Sequence, residues 1–412
     1  MGQRNSRNSG VMQQQQQRLK KPLVCTGVDQ LLLSNFACLH GSKVGVVTNA
    51  TGVFQDMKHL VDVLSNVREL KVVAIFGPEH GFRGAAQAGS SEDFTLDAKT
   101  GLPIYDVYMK SSHQLSTLFE KVDMNILLFD IQDVGARFYT FIWTLYDCMV
   151  AVAMASKHIK MVVADRPNPV GGAIIDGPLL NDFFSSFVGR KAILLRHGMT
   201  IGEIAQLFNA EFVAVDAGKQ VELEVLCMKG WERTMIFSET GLLWVPPSPN
   251  MPSPTAAAFY LGTALFEGTN CSEGRGTTLP FEMIGAPWLD YHLISDLQQE
   301  DCPGALFREA WFTPSFSKFS GKLINGIQVH LCDVAKFNSL RTALTILSSI
   351  IKLYPHNFEW RKDGSLYWID KLVGNTSVRE DLSKGASADE VIATWQDDIL
   401  WFGAMRQKYL LY

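Results

Sequence analysis

From residue 43 onward, short β-branched runs alternate with amphipathic stretches. Residues 44–48, 72–76, 126–130 and 161–165 are near-continuous apolar runs with the length and composition of strands buried on both faces. Between them, 57–64, 113–119 and 143–156 space their apolar residues as helices do, so the βαβαβαβ order predicts a parallel sheet covered by helices. Thr200-Ile-Gly-Glu203 is a capping box ahead of Ile204, Ala205, Leu207 and Phe208, which predicts another helix start and gives Glu203 a structural role. Near Val245 the texture changes. Five prolines fall within 245–254, and 268–280 is rich in Gly, Ser and Thr, both compositions of loops. Farther on, 326–331 predicts a strand and 341–354 a helix, while the capping box Ser387-Ala-Asp-Glu390 predicts a terminal amphipathic helix through Trp395, Ile399 and Phe402. The expected fold class is α/β: a polar tail over 1–22, a Rossmann-like parallel-sheet domain over 23–245, and a smaller α+β C-terminal domain over 246–412 that completes a cleft.

A chain of 412 residues with 47% hydrophobic and 19% charged content has ample core for two domains, which excludes disorder for its bulk. The net charge of -5 supplies no basic field for a phosphate backbone, so nucleic acid is not an expected partner. The longest apolar stretch, 149–155, is far shorter than the roughly 18 to 20 residues of a membrane span. Seven scattered cysteines without a C-x-x-C pair read as buried thiols in a reducing compartment, and the polar stretch 1–21 lacks the apolar core of an export signal, so a cytoplasmic location is expected. The opening Met-Gly-Gln-Arg-Asn-Ser fits N-myristoylation at Gly2, although six residues match by chance often and a plain disordered tail is favoured. The fingerprints of serine hydrolases, zinc proteases, P-loops and dinucleotide-binding folds are missing and no histidine shows metal-ligand spacing, so neither a cofactor nor a metal is expected.

Each predicted strand runs directly into polar or special-backbone residues, and the carboxyl ends of parallel strands are where open α/β sheets form their binding crevice. After the second strand come Glu79, His80 and Arg83 among glycines. Glu79 is a candidate general acid or a loop-stabilising partner of Arg83, and His80 either assists proton transfer or satisfies a loop carbonyl. After the third strand come Asp130, Gln132, Asp133, Arg137 and Tyr139, a mixture suited to hydroxylated ligands, with turn closure as the alternative for the two acids. Arg137 lies in an apolar stretch, where a guanidinium calls for an anion from protein or substrate; Trp143 is a further possible ring contact. After the fourth strand, Asp165-Arg-Pro-Asn-Pro169 is a rigid turn that aims Arg166 and Asn168. The loop 267–278 carries Glu267, Asn270, Glu273 and Arg275, which read as ligand contacts, with a flexible charged connector as the alternative.

Six segments in this order, GPEHGFRG at 77–84, QDVGARFYT at 132–140, DRPNP at 165–169, RHGMTIGE at 196–203, PSPNMP at 247–252 and EGTNCSEGRGTTLPFE at 267–282, closely resemble the NamZ-like exo-β-N-acetylmuramidases over about residues 27–412. The resemblance implies a Rossmann-like domain, a smaller second domain, a cleft between them, and release of N-acetylmuramic acid, alone or with its neighbour as a disaccharide, from non-reducing ends of peptidoglycan glycans. It makes Glu79 the catalytic glutamate beside His80, leaves Asp133, Glu267 and Glu273 as candidates for a second carboxylate, and adds His197 to the substrate contacts. The substrate's lactyl carboxylate calls for an arginine, with Arg83, Arg137 and Arg275 as candidates. Where the family usually reads EGP, this chain has Asp176-Gly-Pro178. A carboxylate one methylene shorter at a reacting position would favour the alternative of a catalytically silent muropeptide-binding protein.

Overall fold

A computed structural model describes residues 24–412 apart from 85 and 88. The polar tail and the Gly2 acceptor lie outside the described residues. The predicted strands all form, as β1 (Lys43–Thr48), β2 (Lys71–Gly77), β5 (Ile126–Asp130) and β6 (Lys160–Ala164), joined by two short strands, β3 (Thr95–Leu96) and β4 (Pro103–Asp106). With β7 (Leu223–Leu226) they make a seven-stranded sheet of order β3-β4-β2-β1-β5-β6-β7, parallel except at the β3 edge. The chain runs outward from β1 to β2 and β4, then returns to place β5 on the other side of β1. The β1/β5 junction is therefore the topological switch point, where crossovers to opposite faces leave a crevice open above the carboxyl ends. Every residue of β5 is buried, which explains its uninterrupted apolar run.

Two helices depart from expectation. Only Leu60–Leu64 of the stretch 57–64 is helical, because Met57 closes a tight turn with φ +64° and the His59 ring then caps the helix at Val61 N. The terminal helix is split into Ala388–Ala393 and Gln396–Arg406, and the break at Trp395 lets its indole reach into the interior to Asp176. The other helices follow the pattern, with α1 (Ser112–Lys121), α2 (Phe141–Met154) and α3 (Ile201–Phe208), the last opened by the Thr200/Glu203 capping box.

Beyond the proline-rich connection, α4 (Pro254–Thr263) packs on α5 (Ser339–Leu353), and a three-stranded antiparallel sheet runs β8-β10-β9 (Met283–Ala286, Ile324–Leu331, Ala305–Phe312). The short α6 (Trp368–Val373) follows. One hydrophobic core passes without interruption from Val47 and Phe129 under the first sheet to Ile327, Leu347 and Phe402. The two parts of the chain are thereby held as one body, with their facing loops fixed across the carboxyl edge of the sheet.

Candidate active site

The polar segments after the strands meet at that edge but divide between two cavities. One, of about 320 Å3, is walled by Glu79 and His80 after β2, by Tyr139 and Thr140 at the start of α2, by Asn250 in the proline-rich loop, and by Tyr260, Glu267, Arg275, Arg361 and Trp368 from the second half of the chain. The other, of about 340 Å3, lies over the switch point and takes Gln132 and Arg166 together with Thr51 and Trp244.

Glu79 is placed by a strained turn in which His80 (φ +73°) and Gly81 (φ +76°) both take left-handed backbone. Its Oε2 lies 2.6 Å from the Thr140 hydroxyl, while Oε1 accepts from Gly89 N at 2.8 Å and from the Tyr108 hydroxyl at 3.4 Å. Burial and the adjacent Glu79 charge push the Tyr108 phenol far up, so it stays a proton donor. Arg83 is not Glu79's partner: it pairs with Asp97 at 2.8 Å and Asp62 at 3.3 Å and lies over the Phe82 ring, outside the cavity. His80 contacts the Ala86 carbonyl through Nδ1 at 2.9 Å, so the loop-carbonyl reading holds while its ring still lines the cavity.

The opposite wall is an alternating chain of charges. Glu267 Oε1 accepts from Arg275 at 2.7 Å, Arg275 Nε lies 3.5 Å from Glu273, and Glu273 Oε2 accepts from Lys318 at 3.0 Å. Burial pulls the Arg275 pKa down, but Glu267 and Glu273 outweigh it and hold the guanidinium charged. Glu267 and Arg275 face the cavity, whereas Glu273 lies behind them, buried and enclosed by its two cations. Tyr139 and Tyr260 meet edge to face at 5.6 Å, and burial holds both phenols well above their ordinary range. Three donors on these walls, the Tyr139 hydroxyl, Asn250 Nδ2 and Trp368 Nε1, are buried without a hydrogen-bond partner among the described residues. Unpaired buried donors cost free energy, and their convergence on one cavity marks a surface built for a hydroxylated or carbonyl-bearing ligand.

The remaining predicted residues have other roles. Asp130 is buried beneath Arg166 and receives its Nη2 at 2.9 Å. Gln132 donates to the Asp133 and Pro167 carbonyls, both at 2.8 Å, and Asn168 closes its turn onto Val170 N and Met199 O. Asp133 accepts from Gly135 N and lies 3.6 Å from His197 Nε2; both are buried, and neither lines the cavity. Asn270 stitches its loop to Asn357 and Glu359 in an open groove next to the cavity. Arg137 makes no ion pair among the described residues, and the charge of Asp398 reaches it only weakly against its burial. Its guanidinium donates to the carbonyls of Pro178, Ile193, Leu372 and Val373, joining the two halves of the chain, and burial lowers its pKa to about 9. Trp143 is interior, stacked on Phe208 with its indole N–H on the Arg137 carbonyl. Asp176 also lies off the cavity, where it accepts from Asn338 at 2.8 Å and Trp395 at 3.1 Å. The shorter side chain at this position thus serves a structural junction.

Residue-by-residue reading of the sequence missed Thr140, Tyr108, Asn250, Arg361 and Trp368. Thr140 and Asn250 sit inside two of the long motifs, QDVGARFYT and PSPNMP, and could have been found there. Arg361 and Trp368 flank the two-stranded turn Lys362–Tyr367, which has no local signature of a site.

Comparison with known proteins agrees with this architecture. The sequence profiles of the N-terminal and C-terminal parts of the exo-beta-N-acetylmuramidase NamZ match residues 44–255 and 258–412. The chain is 45% identical over 397 residues to the peptidoglycan beta-N-acetylmuramidase NamZ of Bacillus subtilis strain 168, covering 96% of this chain and 93% of that protein. Two crystal structures of DUF1343-family proteins from Bacteroides fragilis superpose with TM-scores of 0.86 and 0.73. Each is 32% identical in sequence, covers 95% and 94% of this chain respectively, and is itself covered over 100% and 99% of its length. With both halves matched and a relative aligned over nearly its whole length, the chain belongs to the NamZ exo-β-N-acetylmuramidase family.

Proposed function

We propose that this protein is an exo-acting glycoside hydrolase that releases N-acetylmuramic acid from the non-reducing ends of peptidoglycan-derived glycans, with Glu79 as acid/base. The carrying observation is the carboxyl of Glu79 facing a cavity of about 320 Å3 that also contains Glu267 and three unpartnered donors. That volume suits a single amino-sugar ring, as an exo-acting site requires. The two oxygens of Glu79 are not equivalent. A backbone N–H can only donate, so Oε1 beside Gly89 is an acceptor, whereas the Thr140 hydroxyl facing Oε2 can give or accept a hydrogen bond. Oε2 is therefore the oxygen that carries the proton to the glycosidic oxygen, and Thr140 turns its hydroxyl accordingly. Among the described residues, Glu267 is the other carboxylate on the cavity wall and supplies negative charge facing the developing oxocarbenium ion.

Wild type and Glu79→Gln are to be compared on a chromogenic β-N-acetylmuramide and on peptidoglycan fragments. Release of N-acetylmuramic acid by the wild type and its loss in the variant support the hydrolase; saturable binding without release by the wild type would establish a silent receptor. A reducing cytoplasmic compartment is a separate proposal, resting on cysteines that form no disulfide among the described residues: Cys148, Cys271 and Cys302 are buried as expected, whereas Cys227 and Cys332 are exposed. Cell fractionation tests it, and recovery from the exported fraction would overturn it.

A further inference from the structure

We infer that Arg361 is the residue that grips the lactyl carboxylate and so selects N-acetylmuramic acid over N-acetylglucosamine. This rests on the proposed function of the same cavity. The two sugars differ by one lactyl ether, hence by one negative charge, and discrimination between them needs a cation on the cavity wall that is free to accept it. The arginines expected from sequence to do this are all engaged: Arg83 by Asp97 and Asp62, Arg137 by four carbonyls, and Arg275 by Glu267 and Glu273. The imidazole of His80 lines the cavity but uses Nδ1 on the Ala86 carbonyl.

Arg361 is different. Its guanidinium makes no hydrogen bond or ion pair among the described residues and rests 5.3 Å from the centre of the Trp368 ring. The nearby acid, Asp363, is held by Lys371 at 2.6 Å. The Arg361 backbone, by contrast, is pinned, its N–H donating to Gly268 O at 2.8 Å and its carbonyl accepting from Trp368 N at 2.9 Å. Gly268 makes this possible, since a Cβ there would sit 2.8 Å from the backbone of Ile369 and push the loop off α6. A fixed Cα with an unengaged guanidinium at the junction of the cavity and the open groove of Thr269 and Trp360 is what a carboxylate clamp requires. The indole beneath keeps the side chain over the cavity.

The test compares wild type, Arg361→Ala and Arg361→Lys for binding of free N-acetylmuramic acid and N-acetylglucosamine by titration calorimetry, and for turnover of the two chromogenic β-glycosides. Loss of a charge-assisted clamp at a partly open site is expected to weaken N-acetylmuramic acid binding and raise its KM by about 10- to 100-fold in the alanine variant, with N-acetylglucosamine unaffected. The lysine variant is expected to recover part of the preference. An equal loss on both sugars, or an unchanged preference, would overturn the clamp while leaving the hydrolase standing. Arg361-dependent binding preference without turnover by the wild type would retain the clamp and reject the hydrolase.

Discussion

Two places at the carboxyl edge of the sheet gather polar side chains, fully buried at Asp165 and Glu203 and only half-buried at Glu79, and they are built in opposite ways. Around Asp165, which follows β6, the hydrogen bonds close. Its carboxylate receives Gly202 N at 2.8 Å, the Thr200 hydroxyl at 2.8 Å and the hydroxyl of the C-terminal Tyr412 at 2.7 Å. Gly202 permits that approach, since a Cβ there would lie 2.8 Å from the Asp165 carboxyl carbon. Glu203 accepts from Leu411 N and pairs with Arg233, so the chain end is sewn to the first domain. Around Glu79, the buried Tyr139, Asn250 and Trp368 donors and the exposed Arg361 guanidinium, which rests on the Trp368 ring, have no hydrogen-bond partner among the described residues. Charge and buried polar groups are found at both places. What separates a ligand site from a structural junction is whether the protein itself completes the hydrogen bonds.

The largest expected contrast is kinetic. Glu79→Gln should lower kcat by about 100- to 10,000-fold while moving the unfolding free energy by less than about 0.5 kcal/mol. Paired activity and denaturation measurements check both, and a large stability loss would place Glu79 in the structural class. Arg137→Met should do the reverse. Four carbonyls lose their donor, so we expect about 3 kcal/mol of destabilisation by urea unfolding, with kcat per folded molecule nearly unchanged.

The closed region also predicts a pH dependence. Burial raises the Asp165 pKa to about 7 against the opposing hydrogen bonds from Gly202, Tyr412 and Thr200. A folded-state pKa above the unfolded value of about 3.9 means that the folded protein holds the proton more tightly. The stabilisation from this group is therefore complete below the unfolded pKa and is lost as pH rises toward 7, with a slope of at most about 1.4 kcal/mol per pH unit. Asp165→Asn should flatten the slope between pH 4 and 7, as followed by denaturant midpoints at stepped pH. An unchanged slope would mean that other groups carry it.

How much of this was legible in the sequence follows the same division. The strands were readable almost to the residue because burial on both faces leaves an unbroken apolar run, as in β5. The stretch 57–64 reads as a longer helix than it forms because apolar spacing says nothing of the left-handed turn at Met57, and the break at Trp395 leaves no local mark because its cause is a distant carboxylate. Within the site, Glu79, His80, Tyr139, Glu267 and Arg275 do reach one cavity, since polar residues after parallel strands have little choice of direction. Arg137 was legible as buried, but the Leu372 and Val373 carbonyls that satisfy it lie 235 and 236 residues away in the chain. Arg361 stayed hidden for a matching reason: being unengaged is a property of the folded surroundings, and no window of sequence contains them.

The smallest effects give the sharpest version of the contrast, because two tyrosines can lose the same atom with opposite results. The Tyr412 hydroxyl donates to Asp165 and accepts from Met228 N, so Tyr412→Phe strands a buried carboxylate oxygen and an N–H and should cost about 1 to 2 kcal/mol. The Tyr139 hydroxyl is buried with no partner among the described residues, so Tyr139→Phe relieves an unsatisfied donor and should leave stability unchanged or raise it by up to about 1 kcal/mol. The same change removes a donor from the cavity wall, so kcat/KM should fall, and the gain in stability and loss of activity should appear in one variant. Thermal unfolding and chromogenic assays on the two variants side by side check this. If Tyr139→Phe proved as destabilising as Tyr412→Phe, the Tyr139 hydroxyl would be satisfied within the protein, and open hydrogen bonds would no longer distinguish the cavity from the seam.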